Sequence, residues 1–152
     1  MSDILTAARV DILTATNVTW QDAFQFDPTG TTGCCSPPPY WPCGATGPAW
    51  NFAGQNFLVT IKGNRQQPVP LMQIDSGMTG QNLIVIDDVN SRILHTNVPD
   101  TVLTGNVTGT TGATGVGLVP GTYVYDFVMY DGSNPPVRVM LMEGKFVLKE
   151  GV

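Results

Sequence analysis

A chain of 152 residues has the length of one ordinary domain with a real core. It is 42% hydrophobic and only 12% charged, against roughly 25% charged in an average soluble domain, so it has too few charges to cover its surface alone and part of that surface is expected to meet a partner. The net charge of −5 without a Lys/Arg cluster argues against a nucleic-acid face, and no run approaches the ~20 apolar residues of a membrane-spanning helix.

The opening MSDILTAARVDILTA lacks a basic segment followed by a long apolar run, so the chain is expected to be made and kept in the cytoplasm. Its apolar positions Ile4, Leu5, Ala8, Val10, Ile12 and Leu13 fit neither a helical nor an alternating period. Residues 1–15 are therefore expected to be an N-terminal arm or an edge strand, leaving 16–152 as the domain. In VTWQDAFQF, Trp20, Asp22, Phe24 and Phe26 alternate with Gln21, Ala23 and Gln25, which predicts a first strand with Phe24 and Phe26 facing the core.

Residues 27–48, DPTGTTGCCSPPPYWPCGATGP, are too rich in Gly and Pro for a regular element. A loop longer than ~12–15 residues in a compact domain is usually functional or disordered. This one carries Tyr40 and Trp41, which points to an inserted loop ordered against something. It also holds all three cysteines, Cys34, Cys35 and Cys43, so no domain-wide disulfide framework is possible.

Next, NFLVTIKGN alternates Phe57, Val59 and Ile61 with Leu58, Thr60 and Lys62 before a Gly63-Asn64 turn, and PVPLMQID, NLIVIDD and RILHTNV follow as short strands, with a turn at Val89-Asn90-Ser91. The Thr/Gly tract at 105–117 is expected to be a flexible exposed loop. In the final unit Tyr123, Tyr125, Phe127 and Met129 share one face, with Val124, Asp126, Val128 and Tyr130 on the other. DGSNPP then makes a turn, and VRVMLMEGKFVLKEG is expected to supply two strands broken at Gly144. Turn signals every 8–12 residues or so predict an all-β sandwich with antiparallel strands.

Little here points to chemistry. His95 is the only histidine and stands in a strand without a nucleophile motif such as G-x-S-x-G, so it is expected to be a solvated or satisfied structural residue. Asp87 and Asp88 are neighbours on a strand, point to opposite faces and cannot readily share a substrate; a turn role is expected. Cys34, Cys35 and Cys43 with His95 would supply four zinc ligands in number, but vicinal cysteines without a C-x2-C knuckle have the wrong spacing. Reduced thiols come first, then a loop-stapling or intersubunit disulfide, then a metal site. GTTGATGVG has neither a following Lys-Ser/Thr nor a helix, so it is no phosphate loop. No catalytic, cofactor-binding or metal residue is assigned, and the chain is not expected to be an enzyme.

The C-terminal LVPGTYVYDFVMYDGSNPPVRVMLMEGKFVLKEGV resembles a recurring signature of small tailed-phage structural proteins. The pattern runs G-x-Y-x-Y-D, hairpin, apolar strand, G-x-F-x-V and terminal G-V. It is carried by Gly121, Tyr123, Tyr125, Asp126, Gly144, Phe146, Val147, Gly151 and Val152, with Leu148 in an added apolar place. With WNFAGQNFLVTIKGN and NLIVIDDVNSRILHTNVP upstream, the resemblance covers roughly residue 50 to the end. It is to the immunoglobulin-like N-terminal domain of upper baseplate proteins, whose relatives occupy tail, connector and capsid-decorating positions. The 27–48 loop and the Thr/Gly tract are insertions relative to it.

The resemblance implies an immunoglobulin-like sandwich in a virion and a role in joining virion proteins. A tail, baseplate or fibre adaptor is the first expectation and a capsid decoration protein the near alternative. A receptor- or carbohydrate-binding module using Tyr40, Trp41 and Trp50 is the alternative of another class. Neighbour contacts are expected through Ile4, Leu5, Val10 and Ile12 of the arm and through Cys34, Cys35, Tyr40, Trp41, Cys43 and Trp50 of the loop, in symmetric copies, with no cofactor, nucleic acid or membrane. Within the signature, Tyr123, Tyr125 and Phe127 are expected in the core, leaving Asp126 and Tyr130 for direct contacts.

Overall fold

Apolar alternation builds most of the strands where the sequence places them. The computed structural model describes residues 8–26, 52–78 and 82–151. In chain order the elements are β1 (Ala8–Arg9), β2 (Ile12–Ala15), β3 (Ala23–Gln25), β4 (Asn56–Lys62), β5 (Met72–Asp75), β6 (Ile84–Asp88), β7 (Ile93–Thr96), α1 (Asp100–Leu103), β8 (Ala113–Gly115), β9 (Gly121–Tyr130) and β10 (Arg138–Lys149). The fold is all β, in two sheets. The larger runs β1-β10-β9-β4-β5-β8, with β2 also on β10, and the smaller runs β3-β7-β6.

Phe57, Val59 and Ile61 of β4 and Tyr125, Phe127 and Met129 of β9 are all buried, so the alternation gives the correct inward face on both strands. A chain of tilted and edge-to-face rings runs through the core and crosses from the smaller sheet to the larger at Phe24 and Phe127. Phe24 of β3 lies 6.3 Å from Phe127 of β9, which lies 6.0 Å from Phe57, and Phe57 lies 4.8 Å from Phe52. Trp20 stands edge-on to Phe146 of β10 at 5.2 Å. Such pairs add about 0.5–1.5 kcal/mol each beyond the area they bury. Thr96, the buried hydroxyl of β7, is satisfied twice: it accepts from the Asp22 N–H at 3.0 Å and donates to the Trp20 carbonyl at 3.3 Å.

The structure departs from the sequence expectations in four places. β10 is one continuous strand, not two broken at Gly144. Its discontinuity is a bulge between Met140 and Met142, where Leu141 and Met142 are both buried. The extra residue reverses the inward parity, so a period-2 pattern read across it fails. Part of the Thr/Gly tract is ordered as β8, with Ala113 buried and paired to Ile74 of β5. Residues 100–103 form a helical turn that a 3.6-residue period is too short to reveal; Asp100 stands in its first turn, and Val102 and Leu103 are buried. Finally, the large sheet is not purely antiparallel, because β1 and β2 both pair parallel with β10.

Of the two forms open to the N-terminal segment, residues 8–15 take the edge strand. Ala8 opposes Met142 and Ile12 opposes Phe146 at the same offset, and the ladder between them is interrupted at Val10-Asp11 opposite Gly144-Lys145.

Candidate functional site

The outward face of the large sheet concentrates charge beside this N-terminal strand. Glu143 of β10 is the cross-strand partner of Arg9 on one side and Asp126 on the other, and Asp126 in turn opposes Thr60 of β4. Arg65, in the turn after β4, reaches Glu143 at 3.1 Å, and Arg9 approaches the same oxygen at 3.5 Å. Thr60, Arg65, Asp126 and Glu143 line a shallow groove on the sheet with Lys62, Val124 and Met140, and Arg9 stands beside it through its pairing with Glu143. Arg9, Lys62 and Arg65 are three of the chain's seven basic residues, so a charge-poor chain gathers much of its positive charge here.

Burial raises the Asp126 carboxyl above the usual carboxylate range; Lys62 opposes the rise and Glu143 adds to it. The ion pairs are weakly stabilising. Arg9 and Arg65 side chains are 74% and 55% exposed, and exposed pairs contribute about 0–1 kcal/mol. Both guanidiniums converge on one Glu143 oxygen, which ties the turn after β4 and the N-terminal strand to β10.

On the opposite face, the N-terminal strand is fastened to β10 by side chains placed for it. Tyr125 opposes Gly144 across β9 and β10, and its hydroxyl donates to the Val10 carbonyl at 2.6 Å, so the tyrosine reaches across the glycine to the third strand. Gly144 has to be glycine, because a Cβ there would lie 2.2 Å from the Val10 carbonyl oxygen. Burial, reinforced by Asp11, pushes the Tyr125 hydroxyl well above the usual tyrosine range and keeps it a donor. Where Val10-Asp11 leaves the ladder, the Asp11 carboxylate accepts the Lys145 N–H at 3.0 Å.

The expected contact residues fall differently. Ile12 is 2% exposed and packs in the chain's own core, and Val10 is half-buried with its carbonyl taken by Tyr125. The outward apolar side chain of the strand is Leu13, 59% exposed. Ile4, Leu5, Cys34, Cys35, Tyr40, Trp41, Cys43 and Trp50 lie outside the described residues. Tyr125 and Phe127 are core, Tyr123 is half-buried and Asp126 lines the groove. Tyr130 donates to Asp75 at 2.5 Å with the Arg138 guanidinium 5.6 Å over its ring, and burial together with the Asp75 bond pushes its hydroxyl up to about 12.

His95 has its Nδ1 within 2.8 Å of Asp87, which stands at a bulge of β6, while Asp88 accepts the Ser91 N–H at 2.9 Å in the turn. Among the described residues no group of three or more His, Cys, Asp or Glu side chains is placed to hold a metal ion. The sequence reading missed Leu13, Arg9, Lys62, Arg65 and Glu143. Lys62 and Arg65 carried a faint signal, one turn apart at a strand end, but their convergence on Glu143 depends on strand register.

No protein-family model matches the chain, and no curated protein matches it.

Proposed function

We propose that this chain is a structural attachment protein of a tailed-phage virion, a tail, baseplate or fibre adaptor whose two sheets form an immunoglobulin-like sandwich. It acts by surface burial between virion proteins rather than by chemistry, in symmetric copies. The observation that carries the proposal is the character of the exposed surface. Leu13, Val69, Val116, Val119 and Val137 are each 59–69% exposed on strand edges and loops of a chain with 12% charged residues, and apolar side chains left on edges and loops suit burial against another protein. The C-terminal resemblance supplies the particle. The charged groove around Glu143 supplies orientation within an otherwise weakly charged contact.

Electron cryomicroscopy of the native particle tests this. Density for the chain at a tail or baseplate position, with residues 34–50 against neighbouring subunits, is the expected result, and density on the capsid surface would turn the adaptor into a decoration protein. A chain absent from the particle, or one whose residues 34–50 project freely with Tyr40 and Trp41 open to solvent, overturns attachment; the second outcome favours receptor binding.

A further inference from the structure

The edge of β10 is shaped for one particular strand. Its occupant must turn a carbonyl toward Tyr125 where Gly144 leaves room, follow it with an aspartate that caps the Lys145 N–H, and then place an apolar side chain in the core, as Val10, Asp11 and Ile12 do. A strand lacking any one of these features would leave the Tyr125 hydroxyl or the Lys145 N–H without its partner, or the core position of Ile12 unfilled. Residues 8–15 of this chain have all of them.

The bonds that hold the segment and Thr16 after it run to β9, to β10 and to Gly151 just past β10. Val10 N–H donates to the Glu143 carbonyl at 3.0 Å, Thr16 N–H to the Lys149 carbonyl at 2.9 Å, and Gly151 N–H to the Thr16 hydroxyl at 2.9 Å. Each can form equally well between two chains. After Thr16 the strand is continued only by the exposed connector 17–19, which leads to Trp20 beside the smaller sheet. Short connectors of this kind favour exchange of a terminal element between copies.

We infer that residues 8–15 are an exchangeable strand, and that the edge of β10 is a binding site which a second copy of this chain fills with its own residues 8–15. The closed and exchanged forms make the same contacts, so concentration decides between them. A connector spanning at most roughly 14 Å keeps the partner's β10 close, which makes the exchange reciprocal and two-fold. The inference stands on the strand geometry alone and goes beyond attachment to a particle; its failure would leave that proposal untouched.

Leu13 and Val147 are register partners with Leu13 on the surface, and neighbouring strands about 4.8 Å apart are within disulfide range. In a full-length chain with Cys34, Cys35 and Cys43 changed to Ser, the pair L13C and V147C is oxidised at high protein concentration and run on a non-reducing gel. A covalent dimer that reductant dissolves is expected. A product that is monomeric throughout, with its thiols consumed, overturns the inference. Light scattering of the unaltered chain, beside one with six Gly/Ser residues inserted between Asn17 and Val18, decides independently of disulfide formation. The insertion is expected to lower the mass at a given high concentration by up to twofold toward the monomer, and equal masses for the two chains overturn the exchange.

Discussion

The two edges of the large sheet are closed by different means. At one edge, residues 8–15 lie parallel on β10, anchored by the buried Ile12, the Tyr125 hydroxyl and the Asp11 carboxylate. At the other, β8 lies antiparallel on β5, with Ala113 as its one buried side chain. Both depend on a glycine at the contact. Gly144 leaves room for the Val10 carbonyl, and Gly115 takes a φ of +116° with Leu71 O only 2.3 Å from where its Cβ would be. An edge can thus be fixed by backbone clearance with little hydrophobic pattern, and side-chain anchors then decide how firmly it is held.

Gly144→Val has the largest expected effect. The clash is backbone against side chain with no flexible end to yield, so residues 8–15 should leave β10, exposing Ile12 and orphaning the Tyr125 hydroxyl, at a cost of about 3 kcal/mol or more. Melting temperature should fall by roughly 6–12 °C for a chain of this size, and amide exchange in residues 8–15 should approach that of a free peptide. Gly115→Ala should cost less, about 2 kcal/mol, from its positive φ and the Leu71 contact. Its faster exchange should be confined to β8 and β5. If either variant loosened both edges alike, the two would form one cooperative unit and the contrast would collapse.

How much of this was legible follows from what sets each feature. The inward faces of β4 and β9 were readable because Phe57, Val59 and Ile61, like Tyr125, Phe127 and Met129, obey a period of two within one strand. The continuity of β10 was not, because the bulge at Leu141-Met142 reverses that parity, and Gly144 looked like a break when it is a place of close approach. The parallel partner of residues 8–15 could not be read locally, since register 134 positions away is a tertiary fact. The groove was invisible for the same reason: Asp126, Glu143 and Arg9 are brought side by side only by pairing. Asp126 alone could be singled out, as the acid on the outward face of an aromatic strand.

Tyr125→Phe separates the anchor from the clearance. It keeps the ring over Gly144 and removes only the hydroxyl, leaving the part-buried Val10 carbonyl short of a donor. A loss of about 1–2 kcal/mol is expected, with faster exchange at residues 8–15 and none at β8. An unchanged exchange profile would mean that the parallel ladder and Ile12 hold the edge without the tyrosine.

The smallest effect tests the outward face, where charge rather than clearance is at issue. Burial raises the Asp126 carboxyl in the folded chain, Lys62 only partly offsetting it, so folding disfavours the ionised form. A raised carboxyl contributes its stability fully below the unfolded-state value, and that contribution is lost as pH rises through the folded-state value. At pH 7 the native aspartate is therefore held ionised at a cost, and Asp126→Asn removes that cost while keeping the shape. The variant should be more stable than the native chain at pH 7, by under about 1 kcal/mol, and the gain should vanish in acid, where the native carboxyl is itself neutral. Paired denaturation curves at pH 7 and pH 3 would show it. A loss of stability at pH 7 would mean that the attraction of Lys62 and Arg65 outweighs burial, making Asp126 an electrostatic anchor of the sheet face and not a carboxylate strained by burial.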